Sequence, residues 1–103
     1  GGTNDFGLDV NMGLTTPTAT ATDATLTFNY GAVNKKQTLQ GAVVGDFTAF
    51  NVTTSSAIPL VSATEVSDGV YALTYAAQTV GNVMEFTFTK TGFSTATNAA
   101  TLA

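Results

Sequence analysis

Apolar side chains recur at every second position in one segment of this chain after another. Phe6, Leu8, Val10, Met12 and Leu14 alternate with Gly7, Asp9, Asn11 and Gly13. Leu26, Phe28 and Tyr30 alternate with Thr25, Thr27 and Asn29, and Tyr71, Leu73 and Tyr75 repeat the pattern. Met84, Phe86 and Phe88 do so against Glu85, Thr87 and Thr89. A period of two places one set of side chains on one face of an extended chain, which is the mark of a strand with one buried side. No segment carries the three-to-four spacing of an amphipathic helix. Turn residues, among them Ser67-Asp68-Gly69, Gly81 and Thr91-Gly92, separate the alternating runs. Seven or eight short strands with turns every 8–12 residues or so predict an all-β fold, an antiparallel sandwich.

Three stretches are harder to place. Residues 15–23 are rich in Thr and Ala, carry Pro17 and hold no large apolar residue; they read as an extended linker or an exposed edge. Residues 47–53 are strand-like, but Phe47 and Phe50 have opposite parity and cannot both face inward without a bulge. Residues 58–66 form a strand with Pro59 near its start, which suits a strand end or an edge. The predicted organisation is an N-terminal strand and Thr-rich linker over residues 1–23, followed by a sandwich over residues 24–103.

Composition removes most chemistry. The chain has 103 residues, enough for one domain. It has no His, Cys or Trp, three Lys, no Arg and seven acidic residues. His-based triads, cysteine nucleophiles and ordinary zinc sites are therefore excluded. Three cations give little purchase on phosphate backbones, so no nucleic-acid partner is expected. No apolar run approaches the roughly 20 residues of a membrane-spanning helix. Charged residues make up only 10% of the chain and Thr supplies 21 positions. Low charge with abundant Thr, Ala and Asn fits an extracellular, cell-surface setting.

Asp68-Gly69-Val70-Tyr71-Ala72-Leu73 is the most informative stretch. In immunoglobulin-like sandwiches a corner tyrosine near the start of a late strand bonds back to upstream backbone, and a buried residue follows two positions later. Asp68, Gly69, Tyr71 and Leu73 fit those places. Together with residues 41–47, Asn51-Val52-Thr53-Thr54, residues 83–90 and Gly92-Phe93, this stretch resembles the bacterial Ig-like (Big-type) modules of surface-layer proteins, adhesins and multidomain chitinases. The resemblance covers residues 24–103, with Gly41-Ala42-Val43-Val44 where those modules tend to have Gly-Leu-Thr. It implies a non-catalytic extracellular module.

Residues 6–14 lie outside that resemblance, and two readings of them stand. In one they form the first strand of the chain's own sandwich. In the other they resemble the N-terminal extension of donor-strand pilins and related surface filaments. Phe6, Leu8, Val10, Met12 and Leu14 would then complete the sheet of a neighbouring copy. Such a head-to-tail contact does not close on itself and builds fibres. Gly7 and Gly13 on the outer face would allow close backbone approach.

The remaining candidates are weaker than their structural readings. Glu65 and Asp68 are a carboxylate pair of the type glycoside hydrolysis requires, but they flank a turn that favours acids for local hydrogen bonding. The same two, or Asp5, Asp9 and Asn11, offer oxygens to calcium without an EF-hand loop. Tyr30, Tyr71 and Tyr75 are assigned to the core and not to a sugar-binding platform. Asn51-Val52-Thr53 fits the N-glycosylation pattern. Lys35, Lys36 or Lys90 with Asn98 near Glu85 would be the trio for an intramolecular isopeptide bond. The expectation is a non-enzymatic structural protein with no cofactor and no metal, a building block of a surface filament, pilus or other self-assembling array. Its partners would be copies of itself or neighbouring domains. The alternative is a monomeric spacer or a polysaccharide- or adhesion-binding module of a larger secreted enzyme or adhesin.

Overall fold

The computed structural model describes residues 12–30 and 41–103. Phe6, Leu8 and Val10, the expected strand over residues 36–40, and Asp5, Asp9, Asn11, Lys35 and Lys36 lie outside the described residues. Among those described, nine strands form two antiparallel sheets: β1 Met12–Leu14, β2 Thr18–Ala19, β3 Asp23–Tyr30, β4 Phe47–Asn51, β5 Ser56–Ile58, β6 Leu60–Ser67, β7 Val70–Tyr75, β8 Val83–Phe88 and β9 Ala96–Thr101. The first sheet runs β1-β3-β7-β6, with β2 also paired to β3; the second runs β5-β4-β8-β9. The fold is an all-β sandwich, with more strands than the seven or eight expected. The Thr-rich stretch contributes β2, an edge piece paired through Thr18 and Ala19 to Thr25 and Ala24. The other extra strand arises at Pro59, which ends β5 and starts β6. A residue without an N–H and with fixed φ interrupts the ladder there, and the chain passes from one sheet to the other.

The period-two faces meet between the sheets. Leu26, Phe28, Tyr71, Leu73 and Tyr75 from one sheet face Phe47, Ala49, Met84, Phe86 and Phe88 from the other, all buried. Four of these rings form a cluster across the interface. Phe28 lies 5.3 Å from Phe88 and 5.9 Å from Phe47, and Tyr71 lies 5.4 Å from Phe47, centroid to centroid. These spacings and tilted geometries are those aromatic quadrupoles favour. The parity of β4 resolves without a bulge: Phe47 is buried, while Phe50 is 38% exposed and sits opposite Glu85 and Ala57.

The outward set is mostly hydroxyl-bearing. Thr48, Thr87 and Thr97 are in register across β4, β8 and β9. Thr18, Thr25, Ala72 and Thr64 form a row across β2, β3, β7 and β6. Neighbouring hydroxyls bond to each other, at 2.6 Å for Ser62 with Thr74 and 3.2 Å for Thr87 with Thr97. Thr here combines β-branched strand preference with a surface that stays wet without charge.

The two flanks of the sandwich differ. On one, β1 and β2 lean on β9: Met12 N–H donates to Ser94 Oγ, the Asn98 amide donates to the Leu14 carbonyl, and Ala103 N–H donates to the Ala19 carbonyl. The other flank holds the β5–β6 switch and, among the described residues, a groove between the sheets.

Candidate functional site

The N-terminal strand, the tyrosine stretch and the open flank are the features with functional content. Met12–Leu14 pairs with this chain's own β3, Met12 opposite Tyr30 and Leu14 opposite Phe28. Met12 is buried and Leu14 packs against the core. The described end of the alternating segment is thus part of its own sheet, continuous with the sandwich of residues 24–103. Gly13 sits opposite Asn29 of this chain's own β3. A Cβ there would lie 2.9 Å from Asn29 Oδ1.

Tyr71 and Leu73 are both fully buried on β7. In an immunoglobulin-like sandwich the corner tyrosine sits on the strand flanked by C and G. Here β8 holds that central place between β4 and β9, and Tyr71 lies one strand earlier, between β3 and β6. Its hydroxyl accepts from Ala42 N–H at 3.1 Å, 29 residues upstream, and donates to Glu65 Oε1. Glu65 Oε1 also accepts from Gly41 N–H. The tyrosine therefore ties the approach to β4 onto the first sheet. Burial, and next to it the Glu65 charge, raise its pKa against the lowering effect of the Ala42 bond. Asp68 and Gly69 form the β6–β7 turn. Gly69 adopts φ 76°, a region open to glycine, and its carbonyl accepts from Phe28 N–H at 2.7 Å.

Tyr75 holds a second tether that sequence reading missed. Its hydroxyl lies 2.9 Å from the Thr20 carbonyl and 2.8 Å from that of Asp23, so it closes the turn between β2 and β3. The signal was the position itself: a tyrosine two places after Leu73 on the inward face needs a polar partner at its tip. Burial, and secondarily the Asp23 charge, push its pKa up to about 12. The unfolded chain releases this proton near 10, so the stability linked to it is full below pH 10 and is lost as pH rises towards 12. We expect alkaline unfolding in that window, coincident with tyrosinate absorbance. Tyr75→Phe should lose about 1 kcal/mol at neutral pH and flatten the alkaline limb. Unchanged steepness in the variant would show that Tyr75 does not set it.

Other expected sites come apart. Asn51 is fully buried; its amide donates to Gln78 Oε1 and its carbonyl accepts from Thr54 N–H. A glycan cannot be attached to that nitrogen in the folded chain, so the Asn51-Val52-Thr53 pattern is a structural turn and not an acceptor. Lys90 pairs with Asp46 at 3.7 Å and the Asn98 amide donates to Leu14, so the trio through Lys90 is not assembled among the described residues. The exposed Glu65 carboxylate is engaged by the Tyr71 hydroxyl and Gly41 N–H and has no bond in common with Asp68. Among the described residues no three His, Cys, Asp or Glu lie together, and no helix is long and apolar enough to cross a membrane.

The open flank holds a groove of 250 Å³ where β5 leaves β4. The pairing of β4 with β5 ends at Ala49 and Ile58, so among the described residues Phe47 and Thr48 pair with β8 alone. Phe47, Ala49, Ile58, Pro59 and Leu60 line the groove. Beyond it β6 is an edge strand, paired to β7 only among the described residues, with Val61 73% exposed.

No protein-family model matches this chain, and no curated protein sequence matches it. Among solved structures it is similar to the N-terminal part of the bacterial S-layer protein SbsC, with a TM-score of 0.62 and 11% sequence identity over 89% of this chain. The chain spans 24% of that structure's length. At this identity the likeness is one of fold: the chain has the sandwich architecture of a domain found in a surface-layer protein.

Proposed function

We propose that this chain is a non-enzymatic structural module of a cell-surface assembly, joined to neighbouring copies or domains by burial and backbone pairing. The observation that carries the reading is the character of the outer faces. They are rows of Thr, Ser and Ala in register, with few long charged side chains. Ordering a Lys, Glu or Arg at a contact forfeits about 1.5–2 kcal/mol of rotamer entropy, whereas Ala forfeits none. A surface built this way packs against neighbours at low entropic cost. The fold shared with part of a surface-layer protein supports the same setting. So does the Big-type resemblance. In this reading the alternating N-terminal residues Phe6, Leu8 and Val10 supply the donor contact to the next copy, while Met12 and Leu14 anchor the segment to its own β3.

A second reading is a monomeric spacer or polysaccharide-binding module of a larger secreted protein. It is favoured by the in-chain pairing of β1, which closes this flank without a partner. Light scattering with negative-stain imaging separates the two, applied to the full chain and to a form lacking residues 1–10. That deletion keeps β1. Assembly expects concentration-dependent oligomers or filaments from the full chain, and a stable monomer with an unchanged melting curve from the shortened one. Monomers from both at high concentration would overturn assembly in favour of the spacer.

A further inference from the structure

We infer that the outer face of the second sheet binds a neutral saccharide chain of β-linked, equatorially substituted pyranoses, with Phe50 as its stacking platform and Glu85 as its hydroxyl acceptor. This goes beyond the assembly reading and holds for a lone module as for a copy in an array. Phe50 is 38% exposed, the most open aromatic ring among the described residues. In register with it stand Ala57 on one side and Glu85, then Ala99, on the other. Directly opposed residues on a sheet face have Cβ atoms about 4.5–5.5 Å apart, so ring and carboxylate lie within the width of one sugar ring. Val52, two residues beyond Phe50, is 46% exposed, and two residues before it lies the row of Thr48, Thr87 and Thr97. Among the described residues nothing hydrogen-bonds or ion-pairs with the Glu85 carboxylate.

The chemistry of the face selects its occupant. An equatorial pyranose presents axial C–H groups on its faces, which the negative face of an aromatic ring attracts. Its rim carries hydroxyl donors, which an ionised carboxylate accepts. β-Linked chains of such rings are flat ribbons, and the residues around Phe50 are small enough to leave a flat bed. Charge excludes the other occupants. Glu85 is the one charged residue in these rows, and the described lysine, Lys90, is held by Asp46. An anionic polymer meets Glu85 and a chain of net charge -4. A second copy laid face to face about Phe50 would bury two carboxylates with no cation between them, which costs more than it returns. Saccharide hydroxyls satisfy that carboxylate instead. The undescribed stretches adjoin the described chain at β1, at β3 and at Gly41, which bonds to Glu65 of β6, all beside the first sheet.

Cellohexaose and chitohexaose are the probes, titrated into the full chain and followed by amide NMR shifts. Saturable shifts centred on Phe50, Ala57 and Glu85 are expected with at least one of them. Phe50→Ala should raise the dissociation constant about fivefold or more, the loss typical of an aromatic anchor. Glu85→Gln, which keeps an acceptor of the same shape, should raise it less. Thr64→Ala, on the outer face of the first sheet, should leave it unchanged. A melting curve checks that Phe50→Ala remains folded, as its exposure predicts. No saturable shift with either hexaose would overturn the proposal, as would binding that Phe50→Ala leaves intact. The same shifts with polygalacturonate, an anionic polymer, would overturn the neutral class. Shifts at Phe50 that follow protein concentration without sugar would assign the face to a second copy. None of these results bears on the scattering test of assembly, so the two readings fail separately.

Discussion

Phe88→Ala should lower the melting temperature of the domain by tens of degrees, whereas Phe50→Ala should hardly change its melting curve. Both are strand phenylalanines of the second sheet, and their difference is one of parity. Phe88 is fully buried and touches Phe28, Phe47 and Phe93 at 5.3, 5.6 and 6.0 Å. Phe28 belongs to the other sheet, so the ring joins the two layers. Truncating such a side chain costs about 3–5 kcal/mol, the lost transfer energy plus the cavity left behind. A domain of this size has roughly 5–15 kcal/mol in all. With about 4–8 °C of melting temperature per kcal/mol, the loss is about 12–40 °C. Phe50 faces out beside Ala57 and Glu85, where truncation removes little buried area, and should shift the transition by less than about 1 kcal/mol. Thermal melts followed by circular dichroism compare the two. Equal shifts would mean that the inward and outward faces of β4 and β8 have been exchanged.

That contrast marks where the alternation suffices and where it stops. In β3, β7 and β8 each Leu, Met and aromatic residue with a described side chain lands on the inner face. The pattern is read directly there because both sheets bury one side and expose the other. β4 needed the partner strands: its own residues offer two phenylalanines of opposite parity, and the register with β8 selects Phe47. β2 was hidden because an edge piece of Thr and Ala owes its pairing to β3 and not to its own burial. The site features were less legible for a related reason. The backbone groups that bond Tyr71 and Tyr75 lie 29 and 52–55 residues away, and no local spacing encodes a bond of that length. The groove exists because β5 and β6 belong to different sheets, and only the presence of Pro59 hinted at the break.

Asn51 is the position where a single-atom change should act most strongly through pH. It is fully buried at the end of β4, its amide donating to Gln78 Oε1 at 3.0 Å and its carbonyl accepting from Thr54 N–H at 3.1 Å. Asn51→Asp keeps the shape. The protonated acid also keeps both bonds, since its hydroxyl can donate to Gln78 while the other oxygen still accepts from Thr54. The ionised form loses the donor, faces the Gln78 oxygen and is stripped of water, so its folded pKa must rise above the unfolded value of about 3.9. A group raised in this way contributes stability that is full below the unfolded pKa and is lost as pH climbs through the folded one. The variant should resemble the parent near pH 4 and fall behind it by about 4 kcal/mol at neutral pH, given a shift of about three units. Asn51→Ala removes both bonds at every pH and should cost a constant 1–3 kcal/mol or so. Urea titrations of the three proteins from acid to neutral pH distinguish the cases. A pH-independent gap for Asn51→Asp would mean that water reaches this side chain, and the turn over residues 51–54 would then be open enough to admit a glycan after all.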